Sequence, residues 1–256
     1  MQITDIQWER IKHHFPEEDP DIVKPGPNPV PARKILEAVL WVLVTGAQWH
    51  MLPQCYPNYK TVHRRFQRWC ESNTLRAVLC DLANETREKD KRGFDEAYID
   101  GSFIPARMGG DEVGFGYKGK GTKIMAIVDR EGLPAAVAAV SAERHEVKLV
   151  QLTFDFSLVE ASPEKLIGDL AYDSDDLDED LKGCGVEMIA PHKKSRVKKP
   201  TQDGRKLRRM ARRFVVERTF SWLKWCRRIC TRWEYHSSNF LGFLELACIK
   251  LYLKRI

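Results

Sequence analysis

A chain of 256 residues, 43% hydrophobic and 30% charged, is long enough for one large domain or two small ones around a sizeable core. It has no run of about 18 apolar residues, so no membrane span is expected. Its opening, MQITDIQWERIKHHF, carries early acids and no apolar stretch, which argues against a signal peptide. Seven scattered cysteines, with no Cys/His pair to complete a site beside Cys226 and Cys230, fit reduced thiols in a cytoplasmic protein.

The net charge of +6 hides a strong segregation. Residues 1–90 hold 12 basic and 12 acidic residues; residues 91–192 hold 11 and 20, net −9; residues 193–256 hold 19 and 4, net +15. Separation of this size implies a polyanionic partner for the last segment, nucleic acid first and an anionic membrane surface second.

The first 90 residues read as helical. Ala32–Thr45 is apolar around most of its circumference and predicts a buried helix ending at Gly46. After Pro53 and Pro57, Asn58 can cap a second helix, YKTVHRRFQRWC, with Val62, Phe66 and Trp69 as its apolar stripe. Lys60, Arg64, Arg65 and Arg68 make that helix basic. Two helices of this kind resemble a helix-turn-helix, whose second member would meet DNA; the alternative is a helical subdomain with solvated charges. The charged stretch Arg87–Arg92 marks the expected boundary, giving a small all-α domain over 1–90 and a second domain over 91–256.

From Glu96 the pattern becomes β-like. Strands are predicted at 97–104, 123–128 and 133–141, then a helix at 146–156, a strand at 165–169, an acidic helix at 174–182 and a strand at 186–191. Helices follow at 207–230 and 240–255. Three consecutive strands and then alternating helix and strand describe an RNase H-like fold: a mixed five-stranded sheet covered by helices.

Asp100 lies inside the first strand, among Tyr98, Ile99, Phe103 and Ile104, where an acid is costly unless it binds a cation or a strong donor. Asp169 ends the fourth strand, which in this fold runs parallel to and beside the first. Glu217 stands on the following helix, in line with Arg213, Lys224 and Arg228 at about 100° per residue. Three carboxylates on three elements can hold two Mg²⁺ ions. Each also has a structural alternative: an acceptor for Asp100, a turn residue for Asp169, and an ion pair with Arg213 for Glu217. The glycine-rich segment 114–123 nearly matches a phosphate-binding loop, but no strand precedes it and no helix follows it. It reads as a loop offering Lys118, Lys120 and Lys123 to phosphates, or as a plain hairpin. His145 can cap the next helix or touch the site.

These residues carry a resemblance. The blocks TGAQWHMLP, YKTVHRRFQRW, YIDGS, GTKIMAIVDREGLP, LIGDLAYDSD, VVERTFSWLKWCRR and NFLGFLELA, spread over nearly the whole chain, resemble the DDE-type transposases of bacterial insertion sequences, in particular the insertion-sequence five group. The family's Tyr-x2-Arg-x3-Glu-x6-Lys signature is met by Arg213, Glu217 and Lys224, with Met210 at the Tyr position. The resemblance implies Asp100, Asp169 and Glu217 as ligands of two Mg²⁺ ions, for which Mn²⁺ would substitute. It implies binding of double-stranded DNA at the element's inverted-repeat ends, then phosphodiester hydrolysis and strand transfer by a homodimer or higher oligomer at the bacterial nucleoid. A transposase-derived repressor that binds DNA without cutting it is the alternative. Backbone phosphates would be held by Lys193, Lys194, Arg196, Lys198, Lys199, Arg208, Arg209, Arg213, Lys224 and Arg228.

Overall fold

The computed structural model describes residues 2–16, 29–89, 94–194, 196–197, 200, 202 and 204–255. Asp90, Lys91 and Arg92, part of the expected boundary, lie outside the described residues, as do Lys198 and Lys199. Contacts divide the chain into two compact units. One comprises residues 1–82, 107–111 and 223–256, and the other comprises residues 83–106 and 112–222. The division therefore does not fall at a single point near residue 90: the C-terminal helices cluster with the N-terminal ones.

In the helical unit, α1 (Asp5–Ile11) starts at a capping box in which Thr4 accepts from the Gln7 backbone and Gln7 answers on the Thr4 backbone. Helix α2 (Ala32–Thr45) buries eight of its residues and ends at Gly46. Helix α3 (Tyr59–Glu71) is capped by the Asn58 side chain, which accepts from Lys60 N. The connection from Gly46 to Asn58 contains a 3-10 turn, Trp49–Met51. It is longer than the three or four residues of a helix-turn-helix turn. Helix α4 (Thr74–Lys89) follows at once and crosses the unit boundary. Phe66 of α3 packs on Phe243 with ring centroids 4.4 Å apart. Phe243 belongs to the last helix of the chain, Ser237–Leu253, most of which is buried.

The second unit is built on a mixed sheet of six strands, one more than expected. These are β1 (Glu96–Pro105), β2 (Gly114–Gly116), β3 (Gly119–Val128), β4 (Pro134–Ser141), β5 (Lys165–Ile167) and β6 (Glu187–Ile189). The additional β2 turns the glycine-rich segment into a hairpin with β3. The order is β2-β3-β1-β5-β6, with β4 also on β3; β1 and β4 run antiparallel to β3, while β1, β5 and β6 are parallel. This is the RNase H-like arrangement, in which the first strand sits at the centre between the antiparallel and parallel halves. Helices α5 (Val150–Asp155) and α6 (Asp175–Gly183) connect the later strands. Nearly continuous burial along β3 and β4 shows both faces covered, which is why they read as apolar runs rather than alternating ones.

The long helix expected at 207–230 is instead broken into four pieces. They are α7 (Gly204–Leu207), a 3-10 turn (Arg208–Arg212), α8 (Phe214–Lys224) and α9 (Arg227–Cys230), and the last helix, Ser237–Leu253, is α10. The break falls at Cys226, whose backbone is extended at φ −82°, ψ 99°. It turns Cys226, Arg228 and Ile229 into the helical unit, where all three are buried. No helix among the described residues is long and apolar enough to cross a membrane.

Candidate active site

Strand register brings the first two acids together. Tyr98 on β1 pairs with Ile167 on β5 in parallel. Two residues further along each segment stand Asp100, still within β1, and Asp169, just past the end of β5, close enough for each carboxylate to feel the other's charge. Asp100 Oδ1 accepts from the Gly101 N–H at 2.8 Å, and its Oδ2 accepts from Arg213 at 2.9 Å. Asp169 caps the 3-10 turn Leu170–Tyr172, its Oδ1 accepting from Ala171 N at 2.8 Å. Glu217 lies in the first turn of α8, 62% exposed, with Oε1 3.6 Å from the Arg213 guanidinium. Arg213 thus links Asp100 to Glu217.

Burial pushes the Asp100 carboxyl above its ordinary range, with Arg213 and the Gly101 N–H pulling against it and Asp169 adding to it. Glu146, which the sequence reading passed over for its neighbour His145, joins this group. Its carboxyl is also pushed up by burial, with Asp169 and Asp100 contributing and Lys123 opposing. His145 itself is exposed and makes no capping bond. A signal for Glu146 does exist in hindsight: Gly101 directly follows the first acid, and a Cβ there would stand 3.1 Å from the Glu146 carboxylate.

The donor set is all oxygen, as hard divalent cations require. Arg213 holds Asp100, and the ligand oxygens of Asp100, Asp169 and Glu217 do not all lie within 4.8 Å of one another. Among the described residues, the group with ligand atoms all within 4.8 Å is His13, His14 and Asp81, on the helical unit. The Tyr172 hydroxyl, fully buried and without a hydrogen-bond partner, adds an unused donor beside the acids. The set fits a divalent ion once Asp100 is released.

The expected DNA-contacting cations fall into two groups. Lys60, Arg64, Arg68, Lys193, Lys194, Arg208 and Lys224 are exposed. Four others are used by the protein itself. Arg65 is 5% exposed and donates to the Val30 carbonyl. Arg196 pairs with Asp173 at 3.1 Å and Asp175 at 2.5 Å. Arg209 joins Arg212 on buried Glu96, at 2.6 and 2.9 Å. Arg228 is 7% exposed, bound to Glu234 at 2.7 Å and to the Ala47 carbonyl at 3.2 Å. Arg228 therefore does not extend the cationic edge of α8. Lys123 lies 3.6 Å from Glu146 and donates to the Arg144 carbonyl, so it is not free for phosphates as expected.

Comparison with known proteins agrees with this architecture. Residues 3–79 match a family model described as a putative transposase of the IS4/5 family, and residues 92–250 match a transposase DDE domain. An uncharacterized protein, y4sN, of Sinorhizobium fredii is 37% identical over 83 residues, 32% of this chain; the match spans 64% of that protein's length. The piggyBac transposase synaptic complex with hairpin DNA superposes at a TM-score of 0.54 and 10% identity, over 98% of this chain and 72% of that one. That likeness supports the fold. With a DDE domain matched over 92–250 and an IS4/5 transposase segment before it, the chain belongs to the DDE transposases of the IS4/IS5 family.

Proposed function

We propose that the chain cuts and joins DNA at the ends of its own mobile element, with Asp100, Asp169 and Glu217 as ligands of two divalent ions, Mg²⁺ or Mn²⁺. The observation that carries this reading is that Asp100 in β1 and Asp169 just past the end of the neighbouring parallel strand β5 lie within electrostatic reach of each other, with Arg213 tying Asp100 to Glu217. Ions held there would lower the pKa of an attacking water and stabilise the departing oxygen. Arg213 would hold a backbone phosphate when it leaves Asp100. Hydrolysis would leave a 3′-hydroxyl, which attacks a target phosphodiester in line.

In this reading residues 1–90 recognise double-stranded DNA and residues 91–256 carry the chemistry. Lys60, Arg64 and Arg68 recur at i, i+4 and i+8 on the exposed side of α3 and supply one phosphate-contacting stripe. Exposed Lys193, Lys194 and Arg208 supply another. Two ends brought together require two copies of the chain or more, acting at the nucleoid.

The test is strand cleavage of a DNA fragment carrying the element end, with Mg²⁺. Asp100→Ala, Asp169→Ala and Glu217→Ala should each abolish nicking while still retarding the fragment in a gel. If all three cut like the parent, the site is elsewhere. If the parent binds ends and never cuts, it is a repressor, and Met210 at the usual Tyr position is the first place to restore.

A further inference from the structure

Resting on that metal reading, we propose that Glu146 is a fourth oxygen ligand of the divalent-cation site, seated by Gly101 and backed by the Tyr172 hydroxyl. Glu146 opens the 3-10 turn Glu146–Leu149 that leads into α5. It reaches β1 at the one position without a side chain: a Cβ on Gly101 would lie 3.0 Å from Met125 Sδ and 3.1 Å from both Cδ and Oε1 of Glu146. A side chain at this position would press on Met125 and on the carboxylate. The carboxylate is thereby held against the residue that follows Asp100 in β1, within electrostatic reach of Asp169 and Asp100.

The charge around it is unbalanced. Asp100, Asp169 and Glu146 interact with one another, and the cations directed at them are Arg213 and Lys123. Arg213 bonds Asp100 directly, but Lys123 comes no nearer to Glu146 than 3.6 Å, beyond a direct hydrogen bond. A half-buried carboxylate in that state has coordination capacity left over.

Tyr172 is the independent sign of a missing ligand. Its ring packs against Gly168, it is fully buried, and its hydroxyl has no partner although it lies in the field of Glu146, Asp100 and Asp169. An unpaired buried hydroxyl is destabilising. The hydroxyl is a donor, and the cost is relieved when a carboxylate turns one oxygen to a cation and the other to the phenol.

The experiment is a Mn²⁺ titration of the full chain without DNA, read as free Mn²⁺ by electron paramagnetic resonance. Glu146→Gln should weaken saturable Mn²⁺ binding about tenfold or more, and Tyr172→Phe by a smaller factor, with no fall in the metal-free melting temperature of either. Asp100→Asn is the control. If it loses Mn²⁺ while Glu146→Gln binds like the parent, Glu146 is not a ligand, but the three-carboxylate reading stands. If Asp100→Asn also binds like the parent, or the parent shows no saturable binding, both ideas fail together. Glu146→Cys gives a readout that a structural role would not move: a thiolate ligand should raise Cd²⁺ affinity above the parent's. Unchanged Cd²⁺ affinity in that variant overturns the proposal even where Glu146→Gln proves unstable.

Discussion

Arg213 stands between Asp100 and Glu217, 2.9 Å from one carboxylate and 3.6 Å from the other. A guanidinium in that position neutralises the acids a divalent ion would need. Arg213→Gln should therefore bind Mn²⁺ at least about threefold tighter without DNA, since a competing unit charge is gone. The same variant should bind DNA less well. Mn²⁺ affinity equal to the parent's would mean that Arg213 does not compete for the site.

A second ion pair contradicts a simple reading of the basic C-terminal segment. Arg228 and Glu234 are both buried, with Nε and a terminal nitrogen each 2.7 Å from Glu234 Oε1. Removing one partner leaves the other charged and desolvated. Arg228→Met and Glu234→Gln should each cost roughly 3–5 kcal/mol in urea unfolding. A loss of DNA affinity with unchanged unfolding would return Arg228 to the DNA-contacting set.

Neighbouring arginines on α3 should behave differently for the same reason. Arg64 and Arg68 are exposed, whereas Arg65 is 5% exposed and bonded to the Val30 carbonyl. The double variant Arg64→Ala/Arg68→Ala should keep its melting temperature. It should lower the slope of log affinity against log salt by about two. Arg65→Ala should lower the melting temperature instead. Equal melting temperatures for all three substitutions would refute this division.

Local pattern carried much of the fold. The all-round apolarity of Ala32–Thr45 and the Asn58 cap specify α2 and α3 without tertiary help, and the buried runs of β3 and β4 announce themselves. Gly114–Gly116 has no apolar pattern; it becomes a strand only because β3 offers an edge. The break at Cys226 has no glycine or proline to signal it. Helical periodicity runs on through it, and burial of Arg228 against Glu234 accompanies the turn. Asp100, Asp169 and Glu217 stand out in sequence as acids in apolar or basic settings. Glu146 sits in a charged turn, Glu-Arg-His-Glu, where one acid looks like another until Gly101 is seen against it. Buried and exposed arginines are equally indistinguishable before packing is known.

Glu245 offers a test of the helical unit through pH. It lies on α10, 4% exposed, with Arg76 3.9 Å away, and burial pushes its carboxyl up to about 7. Between the ordinary carboxyl value and that raised one, the folded chain binds a proton that the unfolded chain has released. Stability from this group is therefore fully present at low pH and is lost as pH rises from about 4.5 through 7. Glu245→Gln cannot ionise and should remove that loss, so its stability relative to the parent should increase from pH 5 to pH 8, by up to roughly 3 kcal/mol. Urea midpoints measured at both pH values decide it: a difference between variant and parent that does not change with pH would mean that Glu245 stays charged inside the fold.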